Sequence, residues 1–307
     1  MTTAHYRVAH ETRYRYGETV TTSQHVAYLR PRSLPYQDVA RSALDVDPLP
    51  ARVTRRIDYF GNEVDHLSIL RPHTELSVVG RSLVAVTAPE EPRDLEASPP
   101  WEQVRESLLY RKGAPSEEAA QFAYASPHAP REPELAEFAR ASFPAGRPFA
   151  AAAADLMQRI HREFRFDPRA TTVATPLKRV LAKRRGVCQD FAHLQIASLR
   201  SLGLPARYVS GYLLTDPPAG RERLVGADAS HAWVSVACPL LGWLDLDPTN
   251  GVLPSDGHVT VAWGRDFGDV SPLRGVILGG AEHELDVGVD VTPLGEREWG
   301  EAVRASA

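Results

Sequence analysis

The chain has 307 residues, 43% of them hydrophobic and 24% charged, with a net charge of −4. That is enough for two cores and gives no basic field to hold nucleic acid or an anionic membrane. No run reaches the roughly 20 apolar residues of a membrane helix. The opening stretch from Met1 to Val8 lacks the apolar centre of a signal peptide, so a cytoplasmic location is expected, with the two cysteines, Cys188 and Cys238, kept as thiols.

The first 88 residues read as β structure. Tyr6, Val8, His10, Thr12, Tyr14 and Tyr16 alternate with their neighbours at period two, as a half-buried strand requires. Short runs at 26–29 and 43–46 stop at Pro31 and Pro48, and the runs 53–59 and 64–70 flank Gly61-Asn62, a hairpin signal. Residues 76–86 add one more. Short strands with frequent breakers predict a small antiparallel β-sandwich over 1–88, a supporting or substrate-selecting module.

A stretch rich in proline and acid, 88–100, marks a boundary. Helices are predicted at 101–109, 117–122 and 134–143, within a helical connector over 89–149, and at the Ala-rich 149–164. Thr175 as N-cap, Pro176 at the first helical position and Gly186 as the stop predict a helix over 177–185. The next opens at Cys188 and runs to Leu202, before Gly203 and Pro205. Strands are predicted at 206–214, 231–237 and 242–246, giving a core over 150–265. The tail, 266–307, keeps one alternating run at 285–291. The fold class is therefore α+β, a sandwich followed by helices packed on an antiparallel sheet.

Cys188 follows Gly186-Val187 at the predicted mouth of a helix. The first N–H groups of a helix have no intrahelical partner, and its dipole places partial positive charge there. Both favour a thiolate over a thiol, and the same N–H groups can face a developing oxyanion. A lone cysteine is more commonly a small buried hydrophobe, so position alone decides nothing.

His231 and Asp247 supply the decision. Residues 230–237 alternate as a strand, turn through 238–241 and return as 242–247. With the turn centred near Pro239, His231 and Asp247 are cross-strand partners on one face, about 4.5–5.5 Å apart at Cβ. The carboxylate can then accept a hydrogen bond from one imidazole nitrogen while the other faces a nucleophile. Asp245 shares the parity and is the internal rival, set diagonally and farther away. A one-residue slip in register separates the pair onto opposite faces.

The run from Arg185 to Leu194, the run Leu199-Arg200-Ser201-Leu202-Gly203-Leu204-Pro205-Ala206-Arg207-Tyr208-Val209-Ser210-Gly211-Tyr212, the run Ala229-Ser230-His231-Ala232-Trp233-Val234 and the run Asp247-Pro248-Thr249-Asn250-Gly251 together resemble the bacterial transglutaminase-like core. The first 88 residues resemble, more weakly, the β-rich N-terminal region of bacterial members. The resemblance implies a papain-like fold with a triad of Cys188, His231 and Asp247. It also implies attack on an amide or ester carbonyl through a thioester. Ser235 departs from the pattern, since many relatives carry glutamate there. The expected activity is that of a cysteine peptidase or amidase acting on a peptide or protein substrate. The alternatives are a transglutaminase, in which an amine replaces water, and a non-catalytic binding or scaffold module that retains the fold.

Other signals carry less. Asp190 and His193 stand three apart on the helix but lack an H-E-x-x-H or C-x-x-C companion, so no metal is expected. No calcium-loop pattern and no phosphate loop occur, and no cofactor is expected. Cys238 reads as incidental, and Trp233, Trp243, Tyr208 and Tyr212 as core aromatics. His10, His25, His66, His73, His258 and His283 are scattered and receive no role.

Overall fold

The computed structural model describes residues 2–89, 93–109, 118–215 and 230–305. The period-two pattern does not stop at Tyr16. It continues as β1, one strand spanning Thr3–Ala27, where the sequence suggested two. A register shift between Arg15 and Val20 redirects β1 instead of ending it. Four antiparallel neighbours follow in this region: β2 (Gln37–Asp47), β3 (Arg52–Ile57), β4 (Glu63–Ile69) and β5 (His73–Thr87).

Next come helices α1 (Trp101–Ser107), α2 (Pro133–Arg140) and α3 (Phe149–Glu163). The run predicted as helix near 117–122 is a 3₁₀ turn, Glu118–Ala123. The two-residue strand β6 (Arg165–Phe166), helix α4 (Leu177–Lys183) and strand β7 (Arg185–Gly186) lead into α5 (Cys188–Ser201). Helix α4 ends differently from expectation. Arg184 takes the left-handed conformation, φ 53°, and Pro176 stands at the N-cap in place of Thr175. Strands β8 (Ala206–Leu213), β9 (Ser230–Cys238), β10 (Gly242–Leu246) and β11 (His258–Gly264) form the second sheet, in the order β10-β9-β8-β11. After the short helix α6 (Phe267–Val270), β12 (Leu273–Gly279) and β13 (His283–Leu294) return to the first sheet, and α7 (Glu296–Arg304) closes the chain.

The tail is thus part of the N-terminal sheet. The first half of β1 lies between β5 and β13, with Val8 opposite Ser82 and Val291. Its second half lies between β4 and β12, with Val26 opposite His66 and Arg274. Seven strands form one antiparallel sheet, and residues 273–294 add two strands to the five of the region predicted over 1–88. Tyr16, Val20, Leu67, Ile69, Leu76 and Val78 close a small core of their own. Tyr6, Val8, Val84, Val86, Val289 and Val291 instead join the main core, together with Leu156 of α3 and Ile196 of α5. Each fully buried Val, Leu or Ile contributes about 1.5–3 kcal/mol relative to exposure, so the β region and the helical core share their stability.

Two buried amides weld the regions together. The Gln37 side chain donates to the Thr260 carbonyl at 2.7 Å and accepts from the Thr260 N–H at 2.8 Å. Asn62, in the predicted hairpin turn, does the same to Trp263, at 2.8 Å and 3.0 Å. Strand β11 is an edge strand, and these amides satisfy backbone groups that a neighbouring strand would otherwise take. Among the described residues, no helix is long and apolar enough to cross a membrane.

Candidate active site

Cys188 is the first residue of α5 and is partly exposed. The approach to it is fixed locally. Asp190 Oδ2 accepts the Val187 N–H at 2.8 Å and the Thr171 hydroxyl at 2.6 Å, which is the carboxylate half of a capping box. Burial raises the Asp190 carboxyl above its ordinary value, against these two hydrogen bonds. Gly186 makes room for this: a Cβ there would stand 2.7 Å from Asp190 Oδ2. Asp190 is therefore a builder of the helix mouth, in line with the polar-support reading of the sequence.

The β9–β10 hairpin carries the other two groups, in a register that differs from expectation. Cys238 pairs with Gly242 and Val234 with Leu246, so the turn is centred on Leu240. The reason is backbone conformation: Leu240 and Gly242 both take positive φ, 73° and 70°, one residue later than a turn built around Pro239. Moving the centre by one residue moves the pairing by two. Parity survives, and His231 and Asp247 keep a common face as diagonal neighbours. Asp247 lies just beyond β10, where it bridges to Val252. The rival Asp245 sits opposite Ser235 and accepts the Trp233 indole N–H at 3.2 Å.

His231 Nε2 donates to Asp247 Oδ2 at 2.7 Å. The Cys188 thiol is near enough to act on the imidazole and raise it, and Nδ1 is the ring atom not engaged by Asp247. Burial pulls the His231 pKa down, but Asp247 and Cys188 outweigh it and raise the group to about 10. Asp247 is fully buried. Its Oδ1 accepts the N–H groups of Thr249 at 2.9 Å and Asn250 at 3.2 Å. Its Oδ2 also accepts Asn250 Nδ2 at 2.7 Å and His258 Nε2 at 3.2 Å. Against its burial, these donors hold the Asp247 carboxyl far below the ordinary carboxylate range. The structure thus brings Cys188, His231 and Asp247 together.

Asn250 and His258 are site residues that the sequence reading gave no role. Asn250 had a signal: an Asp followed two and three residues later by N–H donors is an Asx-type turn. His258 had none, because β11 approaches Asp247 only in the fold. Helix α3 supports the turn from below, with Gln158 Nε2 donating to the Gly251 carbonyl at 2.6 Å and His161 Nδ1 donating to the Thr249 carbonyl at 2.8 Å.

His231, Asp247 and His258 place three potential metal-ligand atoms within 4.8 Å of one another. Those atoms are spent on each other, and Asn250 Nδ2, a donor, faces the same Asp247 oxygen, so a cation would have to displace it. His193 is bound elsewhere: its Nε2 accepts the Phe267 N–H at 3.1 Å, and its ring stacks on His128. Of the other histidines, His10 is buried against the Tyr212 hydroxyl at 3.0 Å.

Comparison with known proteins places the chain in a family. Residues 6–85 match the bacterial transglutaminase-like N-terminal region and residues 138–248 the transglutaminase-like superfamily. An uncharacterized protein of Mycobacterium tuberculosis is 40% identical over 301 residues, covering 95% of this chain and 94% of the relative. A protein-glutamine gamma-glutamyltransferase of Pseudomonas aeruginosa is 36% identical over 128 residues, which is 36% of this chain and 19% of that protein. A crystal structure of a candidate cysteine protease from Cytophaga hutchinsonii superposes with a TM-score of 0.73 at 18% identity, covering 96% of this chain and 92% of that one. That last likeness speaks for the fold.

Proposed function

The chain belongs to the transglutaminase-like superfamily and carries its bacterial N-terminal region, and from that premise we propose a cysteine-dependent acyl-transfer enzyme that hydrolyses peptide-like amides. The observation that carries this reading is one imidazole bonded to the Asp247 carboxylate and raised by both that carboxylate and the Cys188 thiol. In the proposed cycle His231 Nδ1 takes the Cys188 proton, and the thiolate attacks the scissile carbonyl. The oxyanion meets the Cys188 N–H at the mouth of α5. The C–N bond then breaks, the amine leaves with the proton from Nδ1, and a thioester remains. Water, deprotonated by His231, releases the acid and restores the thiol. Asp247 fixes the tautomer with Nε2–H and stabilises the imidazolium throughout.

The substrate in this reading is a peptide or protein, and a reducing, cytoplasmic setting would keep Cys188 as a thiol. A second reading is acyl transfer to a primary amine, favoured by the local similarity to the glutamyltransferase. The two differ only in what reaches the thioester. Incubation with a peptide library and a tagged primary amine separates them: hydrolysis predicts free acid as the dominant product. Tag incorporation exceeding acid release reverses the order of the two readings. Neither product, from a protein whose Cys188 is free, removes both.

A further inference from the structure

The triad occupies one end of the four-stranded sheet, and a second assembly occupies the other. Arg207 pairs across the sheet with Ser235, while Gly211 pairs with His231. Four residues of strand separate the two positions, about 13 Å at 3.3 Å per residue. Here a cavity of 240 Å³ opens between the sheet and the Gly61-Asn62 hairpin, and Arg32, Phe60, Glu118, Arg207, Trp243 and Trp263 line it. The Arg207 guanidinium carbon lies 3.7 Å from the ring centroid of Trp243 and 3.7 Å from that of Trp263. Arg32 lies 3.5 Å from the same Trp263 centroid. Two guanidinium groups so close to one ring can only cover opposite faces. The order of the stack is Arg32, Trp263, Arg207, Trp243.

Stacking satisfies the faces of a guanidinium and leaves its N–H edge to find an acceptor. Arg207 is only 7% exposed. Among the described residues it has no ion pair or hydrogen-bond acceptor, and the Nε atoms of both Arg207 and Arg32 are buried without a partner. Arg32 spends Nη1 on the Phe60 carbonyl and on Asn62 Oδ1. Ser235, the cross-strand neighbour of Arg207, offers an uncharged hydroxyl that is itself unpartnered. Burial lowers both guanidinium groups to about 10, the direction expected of cations taken out of water without a counterion in contact.

We propose that this cavity binds a small planar monocarboxylate, with its carboxylate on the N–H edges of Arg207 and Arg32 and its ring against Phe60 and Trp243. Charge and size select this class. The unpartnered N–H edges call for a carboxylate, and Asp245 and Glu118 near Arg207 and Asp58 near Arg32 already offset the two cations, which disfavours a phosphate dianion far more than a single charge. The volume is below the roughly 300 Å³ at which drug-sized pockets begin. The site is independent of the chemistry at Cys188.

The test is titration of the full chain with benzoate, benzamide and inorganic phosphate, followed by tryptophan emission and by calorimetry. Benzoate is expected to saturate and to shift emission, with benzamide and phosphate each weaker by about tenfold or more, the worth of a charge-assisted hydrogen bond. Arg207→Gln should weaken benzoate by a similar factor. Should that variant fail to fold, Glu118→Gln on the exposed rim decides, because removing its negative charge should tighten benzoate severalfold. Equal binding of benzoate and benzamide, tighter binding of phosphate, no saturation at millimolar benzoate, or a Glu118→Gln affinity equal to wild type would each overturn the proposal.

Discussion

Two buried histidines of the same core, His231 and His193, end in opposite states. His231 meets a carboxylate oxygen at 2.7 Å and a thiol that can yield its proton, and it is raised to about 10. His193 meets a donor, the Phe267 N–H at 3.1 Å, which requires a bare ring nitrogen. Burial then lowers it to about 3, with Asp266 acting against the shift. Burial alone pushes both the same way, so hydrogen-bond partners decide which histidine is charged. The contrast also separates a histidine poised for proton transfer from one that packs.

The most damaging break in this contrast is removal of the nucleophile. Cys188→Ala should abolish turnover, by about 10⁶-fold on the scale seen for triads that act as a unit, with an unchanged circular dichroism spectrum. Asp247→Asn comes next, at about 10⁴-fold in kcat. It should also move the basic limb of the pH profile. Because the His231 pKa is raised, its charge and the stabilisation that goes with it are complete below about 6.5 and lost as pH rises through about 10. Without the carboxylate that limb should fall towards 6.5, and a limb that stays in place would show that Asp247 does not set it.

Asn250→Ala removes a donor to Asp247 Oδ2 while leaving the triad itself. A loss of about 10- to 100-fold in kcat is expected, the worth of one hydrogen bond to a charged group, and Asn250→Asp should not rescue it. The smallest effect on turnover belongs to His193→Gln, whose carbonyl can still accept the Phe267 N–H; kcat should change by no more than severalfold. Its signature is in stability. The His193 pKa is lowered on folding, so the unfolded chain protonates first and stability falls as pH drops from about 6.5 towards 3. Urea unfolding should show a shallower acid-side loss in the variant.

Much of this was legible in the amino-acid order where a local rule applied. Cys188 between Gly186 and a long apolar helix, and strands meeting at a short turn, follow from backbone preferences that act over a few residues. The register of β9 and β10 was less legible, because positive φ at Leu240 is a conformation that leucine rarely signals. Strand β11 was missed since it is almost wholly buried and lacks polar alternation. With it went His258, whose proximity to Asp247 exists only after the sheet forms. The union of β12 and β13 with β1 joins residues 246 to 289 positions apart, as in Ala27 with Leu273 and His5 with Leu294, and no local pattern encodes such a pairing.

The most direct measurement of the central claim is the rate of iodoacetamide modification at Cys188 across pH 5–9, in the wild type and in His231→Ala. A thiol that shares its proton with His231 should react rapidly in mild acid in the wild type, and the variant should react there no faster than a free model thiol. Equal rates for the two proteins across the whole range would contradict the pairing on which the account rests.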